Sequence, residues 1–385
     1  MQNLKKLIAE FENEIIQHRR HIHQNPELSN FELQTSAYIC ACLDKMQIPY
    51  KKIAKTGVVG FIKGKKGSKK IAFRADIDAL PINEENTFEF KSKIKNCMHA
   101  CGHDMHTAIL LGTAKILKHY EKSLKGEVLL IFQPAEEASP KGGSRSIIES
   151  GILKDVSLIY GLHLWPEAKA GKIFSKKGAL MAASDFVKIH IKGKASHAAE
   201  PQKGVDSLLA ASHWISSIQN ILAREIEIFE PRILTFGKMN SGTRYNVLAE
   251  NTILEGTCRT FNPQIRKLVK EKIKTSLKAN DILFKTQSTL EYKEGYNALI
   301  NNDEALEFAK NAAEKYGLKI EDANKASMCA EDYSFYLDYC KGAFFWLGTG
   351  YKHCAPLHHP LFNPDESVMK IGVLLFSALA LEFLM

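Results

Sequence analysis

The sequence predicts an α/β protein in which a three-layer α/β/α domain is interrupted by an inserted ferredoxin-like α+β domain. Two observations favour this fold class. Continuous apolar runs alternate with helical segments, which is typical of a sheet covered by helices on both faces. Near its start, the segment 183–293 instead contains FVKIHIKG, in which apolar and polar residues alternate as in a sheet with one solvated face. We therefore assign residues 1–182 and 294–385 to the first domain and residues 183–293 to the insertion.

The elements of the first domain are predicted from apolar periodicity and from helix-boundary residues. Two N-terminal helices are followed by two strands, the second of which leads to Asp76 and Asp78, and by a helix after the segment HACGHDMH. Two further strands precede the insertion, and a helix, a strand and an apolar terminal helix follow it. Apart from the terminal helix, the predicted ranges are 4–24, 30–47, 57–62, 70–75, 108–117, 126–137, 156–165, 303–316 and 343–347.

The inserted domain has the order βαββαβ, which is that of a ferredoxin-like unit. Its first strand contains FVKIHIKG, in which Val187, Ile189 and Ile191 share one face while charged residues and a histidine occupy the other. The elements that follow are predicted at 206–226, 232–238, 251–260, 263–279 and 282–292.

The composition is that of a folded globular protein. Of 385 residues, 45% are hydrophobic and 25% are charged, which are ordinary values for a chain long enough to form two domains. The N-terminal segment has helical spacing and does not resemble a signal peptide. The eight cysteines are scattered, which favours a reduced, cytoplasmic compartment. The apolar C-terminal run contains Glu382, which favours a buried helix, and we expect no membrane partner.

The net charge of +9 raises the question of a nucleic-acid partner. The lysines are spread along the chain, and the densest group, KGKKGSKK at residues 63–70, is predicted to form a solvated hairpin tip between two strands. No basic stripe is interleaved with aromatic residues that could stack bases. We therefore expect that the protein does not bind nucleic acid.

The segment HACGHDMH at residues 99–106 concentrates metal-ligand residue types at the start of a helix. Cys101 and His103 can reach one ion across the turn at Gly102, and Asp104 is placed to hold an imidazole or to cap the helix. A structural zinc site is an alternative, although such sites usually space two ligand pairs well apart. Its four ligands would be Cys97, His99, Cys101 and His103.

Further ligand-type residues stand near the ends of predicted strands or in loops. Each has an ordinary explanation, such as a solvated turn for the glutamates or a surface position for the last histidine. The occurrence of all of them near strand ends of one predicted sheet nevertheless favours catalysis. Together with Cys101 and His103 they give five ligands of mixed type, which suits two ions that share a bridging ligand, and one spare glutamate that could act as a general base. These residues are Glu136, Glu137, His163 and His358.

Several motifs resemble those of one enzyme family, in the family's order. They are RADIDALP at 74–81, MHACGHDMHTA at 98–108, FQPAEE at 132–137, GLHLWP at 161–166, AEDYSFYL at 330–337, LHHP at 357–360 and NPDE at 363–366. The chain resembles the metal-dependent amidohydrolases that include hippurate hydrolase, plant auxin-conjugate amidohydrolases, aminoacylase and glutamate-releasing carboxypeptidases. Its ligand set is similar to that of the cysteine-containing hippurate hydrolase branch.

The resemblance implies a role for each candidate residue. Cys101 would be a thiolate bridging two divalent ions of Mn, Zn, Co or Ni, and Glu136 would be the catalytic base. The remaining metal ligands would be His103, Glu137, His163 and His358.

The resemblance also implies that residues 183–293 form a lid that often mediates dimerisation, so that a homodimer or higher homo-oligomer is expected. His197 would stabilise the oxyanion, sometimes across the dimer. Asn246 and Arg259 match lid positions that hold the substrate carboxylate, a task that suits a guanidinium group.

These features predict a cytoplasmic hydrolase that cleaves small N-acyl amino acids, such as hippurate, into a carboxylic acid and a free amino acid. Three alternatives stay open. The substrate could be a peptide with a free C-terminus, as for a carboxypeptidase or dipeptidase. The chain could be an inactive homologue that uses its metal site to bind a ligand. Cys101 could also act as a nucleophile in a thiol mechanism.

Overall fold

The computed structural model describes residues 2–385, which divide into two compact units. Unit 1 comprises residues 2–180, 300–326 and 332–385, and unit 2 comprises residues 181–299 and 327–331. The chain therefore leaves unit 1 after residue 180 and returns to it at residue 300. The assignment of residues 183–293 as a lid and dimerisation domain remains a prediction.

Unit 1 alternates helices and strands along the chain. Its helices are α1 (Gln2–Gln24), α2 (Leu33–Lys45), α3 (His103–Tyr120), α4 (Ser144–Glu149), α7 (Asp303–Lys315) and α8 (Met369–Leu384). Its sheet strands are β1 (Tyr50–Ile53), β2 (Gly57–Lys63), β3 (Lys65–Asp76), β4 (Lys125–Gln133), β5 (Leu158–Lys169), β6 (Ile173–Ser175), β13 (Ile320–Asp322) and β14 (Lys341–Gly350). The chain passes between the units at β7 (Gly178–Met181) and β12 (Leu299–Asn301).

The eight strands of unit 1 form one sheet in the order β1-β2-β4-β3-β5-β14-β6-β13. Its centre is parallel, because β4 pairs in parallel with β3, β3 with β5, and β5 with β14. The carboxyl ends of these central strands therefore meet at one edge of the sheet, where open α/β sheets bind ligands.

Both faces of this sheet are covered, as the continuous apolar strands predict. On one face, Phe73 of β3 packs against Phe376 of α8 with ring centroids 4.8 Å apart. The main core of unit 1 lies here, among α1, α3, α7 and α8. On the other face, Phe344 of β14 packs against Tyr333 with centroids also 4.8 Å apart. The α/β prediction for this part of the chain is confirmed.

The predicted hairpin at residues 63–70 is wrong. Strands β2 and β3 are consecutive in the chain, but β4 lies between them in the sheet, antiparallel to β2 and parallel to β3. Two strands that flank a third cannot share a tight turn. The lysine-rich segment is instead the irregular start of β3, where the register shifts between Lys65 and Lys70.

Unit 2 has the predicted order of elements. These are β8 (Ala183–Lys192), α5 (Ser207–Glu225), β9 (Arg232–Ser241), β10 (Asn251–Thr260), α6 (Pro263–Phe284) and β11 (Gln287–Glu294). The strands form an antiparallel sheet in the order β11-β8-β10-β9. Val187, Ile189 and Ile191 face a core that Trp214 of α5 and Ile273 of α6 complete. The ferredoxin-like βαββαβ arrangement is therefore confirmed.

The apolar C-terminal helix belongs to the core of unit 1. Within the described residues, the stretch Glu366–Leu384 is the one helical segment long and apolar enough to cross a membrane, and 72% of its most apolar window is buried inside the protein. α8 packs against α1, α3 and α7. The prediction of a buried helix here is confirmed.

Helix α3 approaches its neighbours closely at Gly112. A Cβ atom at this position would lie 2.8 Å from Cγ1 of Ile15 on α1 and 2.9 Å from Cγ2 of Val373 on α8. Such distances are shorter than van der Waals contact, so a side chain here would overpack the interface.

We expect Gly112→Val to lower the free energy of unfolding by about 1–3 kcal/mol, because its branched side chain must displace two buried helices. Urea unfolding measures the effect. Gly237→Val on β9 is the control, because a Cβ there meets no other atom within 4 Å, and its effect should stay within about 0.5 kcal/mol. Equal stabilities for the two variants would contradict the packing role of Gly112.

Candidate metal centre

The predicted ligands of unit 1 converge at the carboxyl edge of its sheet. Cys101 precedes α3, His103 is the first residue of α3, and His163 lies on β5. Glu136 and Glu137 follow the end of β4. His358 comes from a distant loop, whose backbone N–H donates to the carbonyl oxygen of Ala100, 2.8 Å away. Four separate segments thus deliver ligand-type side chains to one place.

The turn between Cys101 and His103 depends on Gly102, which has a φ of 89° in the left-handed region. Gly102 is also the N-cap residue of α3, and no side chain caps this helix. The predicted capping by Asp104 is therefore wrong. Its carboxylate instead accepts hydrogen bonds from Arg19 Nε at 3.0 Å and from His23 Nδ1 at 2.8 Å, both on α1.

Ligand atoms of these residues lie close enough to share ions. The Sγ atom of Cys101 is 3.3 Å from Nε2 of His163, and Nε2 of His358 is 3.3 Å from Oε1 of Glu137. Three groupings each hold their ligand atoms within 4.8 Å of one another. They are Cys101 with His103 and His163, Cys101 with Glu137 and His358, and His103 with Glu136 and Glu137.

His103 and His163 both form a hydrogen bond through Nδ1 and turn Nε2 towards the other candidate ligands. Nδ1 of His103 lies 2.9 Å from the carbonyl oxygen of Asp78, which can only accept, so Nδ1 carries the proton. Nε2 of His103 is buried and has no hydrogen-bond partner. Nδ1 of His163 donates in the same way to the carbonyl oxygen of Leu164, 2.7 Å away. Metal-binding histidines are typically oriented like this, by a hydrogen bond from the opposite nitrogen.

Negative charge is concentrated around these ligands. Burial, and then the carboxylates of Glu137, Glu136 and Asp76, raise the pKa of the Cys101 thiol well above its usual value. Burial opposes the charged form of His103, but Asp76 and Asp78 outweigh it and raise the pKa of His103 to about 10. A buried thiol, an unpartnered imidazole nitrogen and several carboxylates form a donor set that fits divalent cations.

The two glutamates lie on a turn, whereas the sequence predicted a strand to residue 137. β4 ends at Gln133, and Ala135 has a φ of 55°. The backbone N–H of Glu137 donates to Oδ2 of Asp78 at 2.9 Å. The Glu136 carboxylate accepts from the backbone N–H of Asp332 at 3.4 Å and is 7% exposed. The turn brings both carboxylates within reach of His103.

The alternative zinc site of the HACGHDMH loop lacks geometric support. Cys97 donates its thiol hydrogen to the carbonyl oxygen of Pro26, 3.5 Å away. Within residues 2–385, neither Cys97 nor His99 belongs to a group of potential metal ligands.

The three remaining candidates lie in unit 2. His197 is exposed and forms a β-bridge with Val247, next to Asn246. Ala198 N–H donates to the Asn246 carbonyl oxygen at 3.1 Å, so His197 and Asn246 are brought together. Arg259 is on β10, half-buried, and its guanidinium donates to the Thr257 hydroxyl. Burial lowers the pKa of Arg259.

Three side chains near the ligands received no role from the sequence. Asp76 and Asp78 hold His106 and His103, at 2.6 and 3.2 Å respectively. The sequence does contain a signal for Asp76 and Asp78. Both follow a buried strand, and residues two positions apart in an extended chain share a face. The role of His106 depends on contacts with two other segments and could not be read from spacing.

The chain matches the model of peptidase family M20/M25/M40 over residues 72–382. It is 39% identical to N-acetyl-L-cysteine deacetylase of Bacillus subtilis, over 96% of this chain and 88% of that protein. It is 38% identical to IAA-amino acid hydrolase ILR1-like 4 of Arabidopsis thaliana, over 95% and 85%. It is 35% identical to thermostable carboxypeptidase 2 of Saccharolobus solfataricus, over 100% and 98%.

A solved structure shares the whole fold. The YXEP protein of Bacillus subtilis, described as a dinuclear metal binding peptidase of the M20 family, superposes with a TM-score of 0.87. The two chains are 35% identical, and the match covers 97% of this chain and 98% of the other.

We expect Gly102→Ala to reduce the metal content of the purified protein, because a Cβ here would lie 2.6 Å from Cδ1 of Leu164, the neighbour of His163. The left-handed φ adds strain of about 1–2 kcal/mol. Gly171→Ala is the control, since Gly171 has a similar φ of 83° and only one contact within 4 Å, at 3.2 Å. Elemental analysis of both variants is the measurement. Full metal occupancy in Gly102→Ala would show that the ligands tolerate a shift of this turn.

Proposed function

The chain belongs to peptidase family M20/M25/M40 and is a hydrolase of that family, and we propose that it cleaves the amide bond of N-acyl amino acids such as hippurate. The products would be a carboxylic acid and a free amino acid. The names of two relatives, a deacetylase and an amino-acid-conjugate hydrolase, support this substrate class.

The observation that carries the proposal is the convergence of Cys101, His103 and His163. Each is less than 8% exposed, and their ligand atoms lie within 4.8 Å of one another. Glu137 and His358 complete the five-residue set through a second grouping that shares Cys101. A thiolate common to both groupings is what a bridging ligand requires.

We propose that these five residues hold two divalent ions per subunit, of Mn, Zn, Co or Ni. When bound, such ions supply Lewis acidity and make water nucleophilic at neutral pH. Cys101 would ligate as a thiolate, and Asp78 would keep His103 in the tautomer that exposes Nε2. The resemblance to a dinuclear metal binding peptidase supports the number of ions.

Glu136 is the proposed general base. Its carboxylate would take a proton from the attacking water and return it to the leaving nitrogen. Support comes from its low exposure and from its place beside His103 and Glu137. The N–H of Asp332 holds one oxygen of Glu136 and thereby restricts the side chain.

We further propose that His197 stabilises the oxyanion and that Asn246 and Arg259 bind the substrate carboxylate. The side-chain oxygen of Asn246 is buried and has no hydrogen-bond partner, and a substrate carboxylate would be bound by the NH₂ group of the same amide, which is a donor. The guanidinium of Arg259 suits a carboxylate. A homodimer or higher homo-oligomer in the cytoplasm belongs to the same proposal.

A second candidate function is peptide hydrolysis by a carboxypeptidase or dipeptidase. The similarity to thermostable carboxypeptidase 2 favours this candidate. The thiol mechanism is not supported, because a nucleophilic cysteine needs a lowered pKa and an open position. Cys101 has a raised pKa and is 7% exposed.

We expect Glu136→Gln to keep its bound metal and lose about 10²–10⁴-fold in kcat, which is the usual contribution of a general base. Glu149→Gln, at the exposed end of α4, is the matched control and should keep full activity. Elemental analysis measures the bound metal, and single-turnover kinetics measures the rate of the chemical step. Near-normal turnover in Glu136→Gln would remove Glu136 from this role.

Glycine release from benzoylglycine tests the substrate class. We expect activity to vanish after exhaustive chelation and to return with Mn²⁺, Zn²⁺, Co²⁺ or Ni²⁺, because the proposed reaction needs the ions. A panel of acetylated amino acids, a dipeptide and a longer peptide with a free C-terminus is measured in parallel. Faster cleavage of the peptides would favour the carboxypeptidase or dipeptidase. A metal-loaded protein that cleaves none of them would indicate an inactive binding homologue.

A further inference from the structure

The parallel strands β3 and β5 separate just where the metal centre begins. They pair in register from Ile71 with Leu158 to Arg74 with Gly161, and the pairing ends there. Two residues further along, on the same face of each strand, stand Asp76 and His163. The ladder of backbone hydrogen bonds therefore does not fix the distance between these two positions.

The imidazole of His106 spans the gap. Its Nδ1 lies 2.6 Å from Oδ1 of Asp76 at the end of β3, and its Nε2 accepts the backbone N–H of Leu164 on β5 at 3.0 Å. Because an N–H can only donate, Nε2 must carry the lone pair and Nδ1 the proton. The neutral imidazole of His106 thus connects β3 to β5 beyond the point where their backbones stop pairing.

Both ends of this link lead to proposed metal ligands. Leu164 follows His163 and accepts the Nδ1 proton of His163 at its carbonyl oxygen. Asp76 lies 3.6 Å from Nε2 of His103 through its other oxygen. The ring of His106 also packs edge-on against that of His163, with centroids 4.7 Å apart.

We infer that His106 is a positioning residue that sets the separation of His103 and His163 for metal binding, an inference that rests on the proposed function. It does not act as a ligand. Asp76, His103 and His106 have ligand atoms within 4.8 Å of one another, but both nitrogens of His106 are engaged. Binding an ion through Nε2 would leave the buried N–H of Leu164 unpaired, which is unfavourable in the protein interior.

The test is the dissociation constant of Zn²⁺, measured by competition with a chromophoric chelator on metal-free protein. His106→Phe keeps the ring but loses both hydrogen bonds, and we expect its affinity to fall about 10–100-fold, as for other residues that orient metal ligands. Thr113→Val is the matched control. Thr113 is buried on the same helix and donates its hydroxyl to the Ile109 carbonyl oxygen at 2.8 Å, so its loss should leave the affinity unchanged.

His106→Gln is the conservative variant, since its amide offers both an N–H donor and a carbonyl acceptor, and it should recover part of the lost affinity. Should His106→Phe not fold, the wild-type tautomer decides the question, because ¹⁵N NMR of labelled histidines distinguishes a protonated Nδ1 from a protonated Nε2. A folded His106→Phe with wild-type affinity, or a protonated Nε2 in the metal-free wild type, would overturn the inference. Wild-type protein that binds no Zn²⁺ would instead refute the proposed metal centre.

Discussion

The buried guanidinium of Arg74 is the interaction on which the edge of the sheet depends. It donates to Asp76 at 2.7 Å, to Asp332 at 2.8 Å and to the side-chain oxygen of Gln133 at 2.9 Å. Asp332 in turn accepts the backbone N–H groups of Gly143 and Ser144. One cation thus joins the ends of β3 and β4 to two loops. Removing one partner of such a buried pair typically costs about 3–5 kcal/mol, because the other charge stays desolvated.

The metal centre concentrates like charges in a place from which water is largely excluded. Asp76 and Asp78 are almost fully buried, and Glu136 is nearly so. Without a metal ion, a Cys101 thiolate is disfavoured first by burial and then by repulsion from the carboxylates of Glu137 and Glu136, which together raise the pKa of the thiol. An ion that binds only the folded chain would relieve this repulsion and stabilise the fold by mass action. The metal-free protein should therefore be the less stable form.

Much of the architecture could be predicted because it follows from local periodicity. Alternation along β8 and continuous apolar runs along β4 and β5 indicate which faces are buried, and the residue types of HACGHDMH indicate metal chemistry. The wrong predictions concern partners far apart in the chain. β4 separates β2 from β3, and Asp104 bonds to His23, which lies 81 positions away. No periodicity encodes such pairings. The turn at Ala135 was missed for a different reason, since an alanine with positive φ gives no sequence signal.

The position of β14 has a consequence for how the chain is made. This strand lies between β5 and β6 in the sheet, yet it follows the whole of residues 181–299 in the sequence. During synthesis β5 therefore emerges with an unpaired edge. Its parallel partner β14 begins at Lys341, about 170 residues after β5 ends at Lys169. Unit 2 is almost continuous in sequence and can fold in that interval, because domains generally fold as units. The sheet that carries the ligands closes last, and an exposed strand edge on the ribosome is a surface that chaperones would have to protect.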